Sequence, residues 1–343
     1  MSDRKYSEAG VDLEAGKRAT DLMKSAVQAT YTPEVLAGLG SFGGLFSGKL
    51  LKEMDDPIIV ASTDGVGTKT QVASRLNQWS SIGHDIVNHC VNDILVQGAR
   101  PLFFLDYVAS SKLDPEQVAT VVRGVAGACQ AAGCALLGGE TAEMPGVYRE
   151  GELDLVGTVV GIVDQKELID GSSIDYGDAI MAFPSNGLHT NGYTLARTIL
   201  AEESWLDSHP ALNGRAIGNE LLAPHRCYLP QFNSLKDAGV DIHGLAHITG
   251  GGVIDNLPRI LPDDMAAVIE RGSWSEPLIF TFIQEQGDIS DAEMFNVFNM
   301  GLGMLAVVSK DDVSLVQRTL GDDVLLVGEI VQGDGTVSVI GDR

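Results

Sequence analysis

Apolar and polar residues alternate with two different periods along the chain, and the change of period separates helices from strands. An apolar stripe at helical spacing predicts helices over 11–29 and 81–97. Asp114 followed by Pro115 predicts the start of a third helix, which runs to Gly133. β-rich runs predict strands at 57–61, 101–110, 134–146 and 153–164. Strands separated by helices indicate an α/β domain.

The second half of the chain repeats this mixture of elements. The predicted strands lie at 178–183, 265–269, 303–308 and 324–331, and the predicted helices at 191–202, 253 onward, 277–286, 291–298 and 313–320. A polar excursion occupies 204–218. We therefore predict two α/β domains (α+β type), at 1–170 and 171–343.

The charge of the chain limits what it can bind. With 343 residues, of which 44% are hydrophobic, the sequence is that of a folded protein, but its formal net charge is −24. No basic stripe suitable for nucleic acid is found. Two like charges about 4 Å apart repel by roughly 4 kcal/mol at an effective dielectric near 20. A phosphorylated ligand would therefore need backbone N–H groups, a few cations and a divalent metal.

Targeting signals and cysteine patterns also limit the class of protein to which this chain can belong. Residues 1–10 are polar and lack the apolar core of a signal peptide, and no run approaches the roughly 20 apolar residues that span a bilayer. The four cysteines form neither a CxxC pair nor a zinc cluster. We expect a cytoplasmic protein without membrane contact, whose cysteines are buried thiols.

Two glycine-rich stretches of the first domain are candidates for holding phosphate. "GLGSFGGLF" (38–46) has four glycines within seven residues, Gly38 to Gly44. "ASTDGVGTK" (61–69) combines Asp64, which suits Mg²⁺, with Lys69, which would oppose phosphate charge. The alternatives are a flexible connector for the first stretch, and a turn-capping aspartate with a solvated lysine for the second.

Further acids follow on other elements of this domain. Asn92 and Asp93 lie on the helix at 81–97, where Asp85, His89 and Asp93 form a polar line, and Glu140 and Glu143 follow a Gly-Gly turn. Each acid alone is more often a solvated surface residue. Together they favour a nucleotide site with magnesium.

The second domain offers a histidine loop and a glycine turn. His189, Thr190 and Asn191 precede a predicted helix, and "ITGGG" (248–252) precedes another. His189 suits acid–base chemistry or hydrogen bonding to a negative intermediate, although a turn histidine bonded to its own loop is the alternative. No Ser/His/Asp triad, P-loop or strand-linked GxGxxG occurs. The residues alone indicate a Mg-dependent nucleotide-using enzyme and leave the substrate open.

Several ordered motifs carry a family resemblance over essentially the whole chain. They are "YSEAGVDLEAG", "GLGSFGGLF", "ASTDGVGTK", "CVNDILVQGARPLFFLDY", "GGETAEMPG", "SNGLHTNGY", "AHITGGGVIDNLPR" and "NMGLGM". With these motifs the chain resembles the phosphoribosylformylglycinamidine cyclo-ligase (AIR synthetase) family of purine biosynthesis. The resemblance implies that ATP phosphorylates the formyl amide oxygen of formylglycinamidine ribonucleotide, that the amidine nitrogen closes the ring, and that aminoimidazole ribonucleotide, ADP and phosphate are released.

The resemblance also implies an assembly and a set of residue roles. The N-terminal domain would carry a small, mainly four-stranded sheet that pairs across a homodimer into a barrel beside the ATP groove, and the C-terminal domain would bind the substrate. His189, Lys24 and Asp93 match catalytic positions, and Asp64 and Asp93 match the metal ligands. The ATP-binding positions implied are Gly40, Gly43, Gly44, Asp64, Gly65, Gly67, Thr68, Lys69, Asn92 and Glu140. Asn191, Thr249, Gly250, Gly251 and Gly252 would hold the ribonucleotide. His89 departs from the family pattern, so we expect no catalytic role for it.

Related ATP-using enzymes and a non-catalytic nucleotide-binding protein are the alternatives. A selenophosphate synthetase would need a reactive cysteine near the N-terminus, but the first cysteine is Cys90. A HypE-type protein would need a C-terminal cysteine, but the chain ends in "VIGDR". A thiamin-phosphate kinase is not expected to carry "NGLHTNGY" with "AHITGGG". The acids, Lys69 and His189 speak against a non-catalytic protein.

Overall fold

The computed structural model describes residues 12–201 and 204–342. These residues form two compact units, one made of the described residues up to Ile94 with Ala99–Lys166, the other of Leu95–Gly98 with the residues from Glu167 onward. The predicted helix start at Val11 and helix end at Glu202 fall outside the described residues. No helix within the described ranges is long and apolar enough to cross a membrane.

The first unit contains four helices and a main sheet of four strands among its described residues. The helices are α1 (Leu13–Ala29), α2 (Lys69–Leu76), α3 (Ile82–Leu95) and α4 (Pro115–Ala132). The strands are β1 (Val35–Ala37), β2 (Leu45–Phe46), β3 (Pro57–Gly65), β4 (Arg100–Ser110), β5 (Ala135–Glu143) and β6 (Leu153–Asp164). The order in the main sheet is β3-β6-β4-β5, and β1 pairs with β2 separately. The predicted four-stranded sheet is thereby confirmed.

Helix α4 crosses over between β4 and β5, which are the parallel pair of this sheet, whereas β3–β6 and β4–β6 are antiparallel. The predicted start of α4 is confirmed, because the Asp114 carboxylate accepts hydrogen bonds from the backbone N–H groups of Glu116 and Gln117. Helices α3 and α4 touch at Gly83 and Gly124, where a Cβ on Gly83 would clash with the α4 backbone. This close contact fixes α3, and with it the polar residues that α3 presents to β3.

Strand β3 is longer and more exposed than predicted. It runs to Gly65, so Asp64 is part of the strand and not of the turn after it. Its alternate residues Ile59, Ala61 and Thr63 are exposed, and Ile59 keeps 64% of its surface accessible. One face of β3 therefore lies open in the described chain, while the other carries Ser62 and Asp64.

The second unit is built around a six-stranded sheet. Its strands are β7 (Ala179–Pro184), β8 (Ile242–His247), β9 (Met265–Glu270), β10 (Leu302–Val308), β11 (Leu325–Gln332) and β12 (Val337–Ile340). Its helices are α5 (Tyr193–Ile199), α6 (Ile217–Leu221), α7 (Leu229–Asp237), α8 (Gly252–Asn256), α9 (Leu278–Gly287), α10 (Asp291–Val297) and α11 (Val313–Leu320). The strand order is β12-β9-β11-β7-β10-β8, antiparallel except for β12 with β9.

Four strands of this sheet were predicted, and β8 and β12 were missed. All seven residues of the interior strand β10 are buried, which is why its apolar run was easy to recognise. In contrast, β8 reads "IHGLAH", with two histidines and a glycine, and lacks the alternation expected of a strand. The predicted helix at 191–202 is confirmed only over Tyr193–Ile199.

Candidate nucleotide and substrate sites

Asp64 and Asp93, the two predicted metal ligands, converge on the imidazole of His89. His89 Nε2 lies 2.8 Å from Asp64 Oδ2 and 3.7 Å from Asp93 Oδ2. The Ser62 hydroxyl donates to Asp93 Oδ2 at 2.9 Å, and the backbone N–H of Gly65 donates to Asp64 Oδ1 at 2.6 Å. Two carboxylates from different elements thus meet at one place, and their predicted role as metal ligands stays a prediction.

The electrostatics of this trio favour the charged forms of His89 and Asp64. Burial lowers the pKa of the His89 imidazole, but the hydrogen bond to Asp64 and the charges of Asp93 and Asp64 outweigh burial, so the pKa is raised. Burial raises the pKa of Asp64, but the hydrogen bond and charge of His89 and the Gly65 N–H hold it below its usual value. His89 is therefore part of the acidic site. The signal in the sequence was its spacing of four residues from Asp93.

Lys69 is directed into the interior of the first unit. It opens α2 and is fully buried, with Nζ 2.9 Å from Oδ1 of the equally buried Asp85. Burial lowers the pKa of Lys69 against the opposing charge and hydrogen bond of Asp85. The predicted contact of Lys69 with phosphate stays a prediction, and it would compete with a buried ion pair that joins α2 to α3.

The turn between β3 and α2 contains the remaining predicted residues of "ASTDGVGTK". Gly67 has a φ of 67°, a left-handed conformation that favours glycine, and its carbonyl accepts a hydrogen bond from the Thr70 hydroxyl at 2.9 Å. Thr68 precedes the first residue of α2. On α3, Asn92 is buried beside Asp93, which is partly exposed.

The glycine-rich loop is the tip of a two-stranded hairpin, which the sequence did not reveal. Strands β1 and β2 pair on either side of it, and Gly40, with a φ of 94°, and Gly43 are exposed. Gly44 packs so closely on Leu137 of β5 that a Cβ there would overlap the leucine side chain. Lys24 is exposed on α1.

A cavity of about 260 Å³ lies beside this loop and brings two predicted nucleotide elements together. Leu39 of the loop and Glu140 of β5 both line it, and the Glu140 carboxylate accepts a hydrogen bond from the Thr141 N–H at 3.0 Å. The other lining residues come from α1, α4, β4 and β5: Gly16, Thr20, Met23, Val27, Asp106, Val122, Leu136, Gly138, Gly139 and Thr141. The cavity is therefore a property of the first unit alone.

In the second unit, His189 is held in a strained and buried position. Its φ is 62°, an uncommon value for a residue with a side chain, and the residue is 1% exposed. His189 Nε2 accepts from the backbone N–H groups of Asn186 at 3.3 Å and Arg226 at 3.5 Å. Its ring stacks on that of His225, with centroids 4.0 Å apart.

His225 and His247 extend this into a cluster of three buried histidines. His225 Nδ1 lies 3.3 Å from the Thr190 hydroxyl, and its Nε2 lies 3.0 Å from His247 Nε2. Ring nitrogens of all three histidines fall within 4.8 Å of one another. Sequence reasoning missed His225 and His247, because they lie far from His189 along the chain and only the fold brings them together.

The predicted ribonucleotide residues Asn191 and Thr249–Gly252 are brought together. A Cβ on Gly250 would lie 3.4 Å from Asn191 Nδ2, and the Asn256 amide fixes the turn by donating to the carbonyls of Gly250 at 3.1 Å and Gly252 at 2.8 Å. The helices that follow these loops, α5 and α8, have seven and five residues. The helix dipole expected to attract anions is correspondingly small.

Comparison with known proteins places this geometry in a family. Residues 50–163 match the model for "AIR synthase related protein, N-terminal domain", and residues 175–341 match that for its C-terminal domain. A phosphoribosylformylglycinamidine cyclo-ligase of Desulfitobacterium hafniense is 49% identical over 332 residues, covering 95% of this chain and 96% of the relative. That of Alkaliphilus oremlandii is 47% identical, covering 96% and 97%. A crystal structure of the hydrogenase maturation protein HypE in complex with ATP aligns with a TM-score of 0.67 at 16% identity, covering 95% of this chain and 90% of that one, which shows the shared fold.

The two family matches define the class: a two-domain protein related to AIR synthase, with a four-stranded sheet in the first unit and a six-stranded sheet in the second. The curated relatives, which this chain matches over nearly its full length, specify the family further. The chain belongs to the phosphoribosylformylglycinamidine cyclo-ligase family, the ligases of purine biosynthesis that close the aminoimidazole ring.

Proposed function

We propose that this protein converts formylglycinamidine ribonucleotide and ATP into aminoimidazole ribonucleotide, ADP and phosphate through phosphorylation of the formyl amide oxygen. The observation that carries the proposal is the match to the cyclo-ligases at 47–49% identity over 95–96% of the chain. An amide oxygen is a poor leaving group, and transfer of the γ-phosphoryl group of ATP to it makes it a good one, which departs as phosphate. The protein's task is then to position two polyanions and to stabilise the charge on the transferred phosphoryl group.

The residues of the first unit are proposed to hold Mg-ATP. Asp64 and Asp93 offer carboxylate oxygens that meet at one place, which is the ligand chemistry that Mg²⁺ prefers together with phosphate oxygens. When bound, Mg²⁺ would supply positive charge to the phosphates in a chain of net charge −24. Gly40 and Gly43 are exposed glycines whose backbone N–H groups would suit phosphate, and Lys24 is an exposed cation on helix α1.

The residues of the second unit are proposed to hold the ribonucleotide. The Thr249–Gly252 turn has φ values of 92° at Gly251 and 60° at Gly252, so its backbone adopts a shape that side chains would strain. Asn191 lies against this turn. His189 is positioned by two backbone N–H groups and by His225, and it is proposed to hydrogen-bond the activated amide.

The open face of β3 supports the proposed homodimer. Ile59 is 64% exposed and Leu105 of β4 is 36% exposed on the sheet of the first unit. Apolar residues left open on a sheet are suited to pairing with a second copy, as the barrel assembly requires.

We also propose a cytoplasmic location, which the four free cysteines support, since a reducing compartment keeps thiols unpaired.

The test is turnover by the purified protein. We expect ADP and the aminoimidazole product from Mg-ATP and formylglycinamidine ribonucleotide, and none from Asp64→Asn, which loses a metal ligand but keeps the side-chain shape. Asp56→Asn is the matched control, because Asp56 is exposed immediately before the same strand. Full turnover by a folded Asp64→Asn, judged by its circular dichroism, would refute the role of Asp64.

A further inference from the structure

The cavity of the first unit contains a buried carboxyl group that the proposed chemistry does not use. Asp106 of β4 lines the cavity, and its Oδ2 is buried with no hydrogen-bond partner in the part of the chain that the structure describes. Leaving a buried polar atom unpaired is destabilising, and such atoms are uncommon in native proteins. The carboxyl therefore has an unmet requirement that a ligand in the cavity would satisfy.

The local backbone is arranged around this carboxyl. A Cβ on Gly139 would overlap Asp106 Oδ1, so only glycine leaves room for the carboxyl at that place. Gly138 also lines the cavity and adds no side chain. Burial raises the pKa of Asp106 to about 7, against the opposing effect of its own backbone N–H. Near neutral pH a large share of the group is thus a neutral acid, which both donates and accepts a hydrogen bond.

Part of the remaining cavity wall is apolar, and Thr20 and Thr141 add hydroxyl groups to it. Met23 and Val27 of α1, Leu39 of the glycine-rich loop and Leu136 of β5 supply apolar walls. The volume of about 260 Å³ lies just below the range of roughly 300–1,000 Å³ that holds a whole drug-sized ligand. The cavity therefore fits one part of a nucleotide, and apolar walls select the base over the ribose or the phosphates.

We propose that this cavity binds the adenine of ATP. In this proposal Asp106 recognises the base by accepting a hydrogen bond from the 6-amino group and donating a hydrogen bond to N1. The proposal rests on the proposed use of ATP and adds a specificity-determining residue. Adenine presents a donor and an acceptor side by side, which matches a neutral carboxyl. Guanine presents two donors at N1 and N2, which match an ionised carboxylate instead. Glu140, on the cavity wall, is the other acid that faces the ligand.

The test compares two nucleotides that differ only in the amino group. Equilibrium binding of Mg-ATP and of Mg-purine riboside triphosphate, which lacks the 6-amino group, is measured for wild type, Asp106→Leu and Asp106→Asn. We expect wild type to prefer ATP by about tenfold or more, because a buried acceptor is left unpaired by the analogue. Asp106→Leu should bind both nucleotides equally, and Asp106→Asn should keep the preference, since an amide also donates and accepts.

A purely structural role for Asp106 predicts a different result. Asp106→Leu would then weaken both nucleotides by the same factor and leave the preference intact, which would overturn the inference. Inorganic tripolyphosphate serves as a probe without a base, and we expect its affinity to be the same for wild type and Asp106→Leu. Wild-type turnover measured in parallel separates the two proposals. If the wild type turns over and Asp106→Leu keeps the preference for ATP, only the proposed adenine subsite is refuted. If the wild type binds no nucleotide and makes no ADP, both proposals are refuted.

Discussion

Replacing Asp106 by asparagine should stabilise the protein, and more so as the pH rises. Burial raises the pKa of this carboxyl from 3.8 to about 7. Between these values the native state binds a proton that the unfolded chain has released, so native stability falls as the pH rises and levels off above about 7. One pKa unit corresponds to about 1.36 kcal/mol, so the full penalty is on the order of 4 kcal/mol. About 3 kcal/mol of it accumulates between pH 5 and pH 8.

Asparagine has nearly the same shape and carries no charge, so it escapes this penalty. The free energy of unfolding is measured by urea titration near pH 5 and pH 8 for wild type and Asp106→Asn, and the variant's advantage should grow by about 3 kcal/mol. The difference between the two proteins removes the pH dependence that they share. Asp21→Asn, at an exposed site on α1, is the control and should show no such growth. An advantage that stays the same at both pH values would refute the reasoning.

Two further substitutions test the buried contacts of each unit. Lys69→Met should cost about 3–5 kcal/mol in the free energy of unfolding, because it removes the ammonium group that lies 2.9 Å from the buried Asp85 carboxylate. Asp85→Leu added to it should restore much of the loss. A loss below about 1 kcal/mol in the single variant would contradict the importance of the ion pair. Gly252→Ala should lose more stability than Gly214→Ala, as measured by thermal denaturation. Both glycines have a positive φ, but a Cβ at Gly252 would overlap the Phe295 carbonyl, whereas a Cβ at Gly214 would meet none of the described atoms within 4 Å. Equal losses would show that backbone strain, and not the clash, dominates.

The sequence predicted best those elements whose pattern is local. Helix α4 has both its cap and its proline within two residues, and its predicted start was right. Asp64 on β3 and Asp93 on α3, which the family resemblance paired as metal ligands, do approach the same imidazole, and their role in metal binding stays a prediction. In contrast, "IHGLAH" becomes a strand only through its pairing with β10, and no local sequence pattern predicts this strand.

Side-chain direction was harder to predict than position. Lys69 stands in a motif that suits phosphate, yet its ammonium faces Asp85, because α2 places its first turn against α3. Asp106 was read as one residue of a buried strand, since alternation identifies a face but does not reveal a cavity beyond it. His225 and His247 join His189 through contacts across more than 20 residues of chain, which spacing cannot show.

The fate of the formyl oxygen tests the proposed reaction most directly. Formylglycinamidine ribonucleotide labelled with ¹⁸O in the formyl group is converted with unlabelled Mg-ATP, and the inorganic phosphate is analysed by mass spectrometry. Phosphorylation of the amide oxygen predicts that one ¹⁸O atom appears in each phosphate released, together with one ADP and one aminoimidazole product. Unlabelled phosphate with the label in water, or ADP formed without ring closure, would contradict the proposed function.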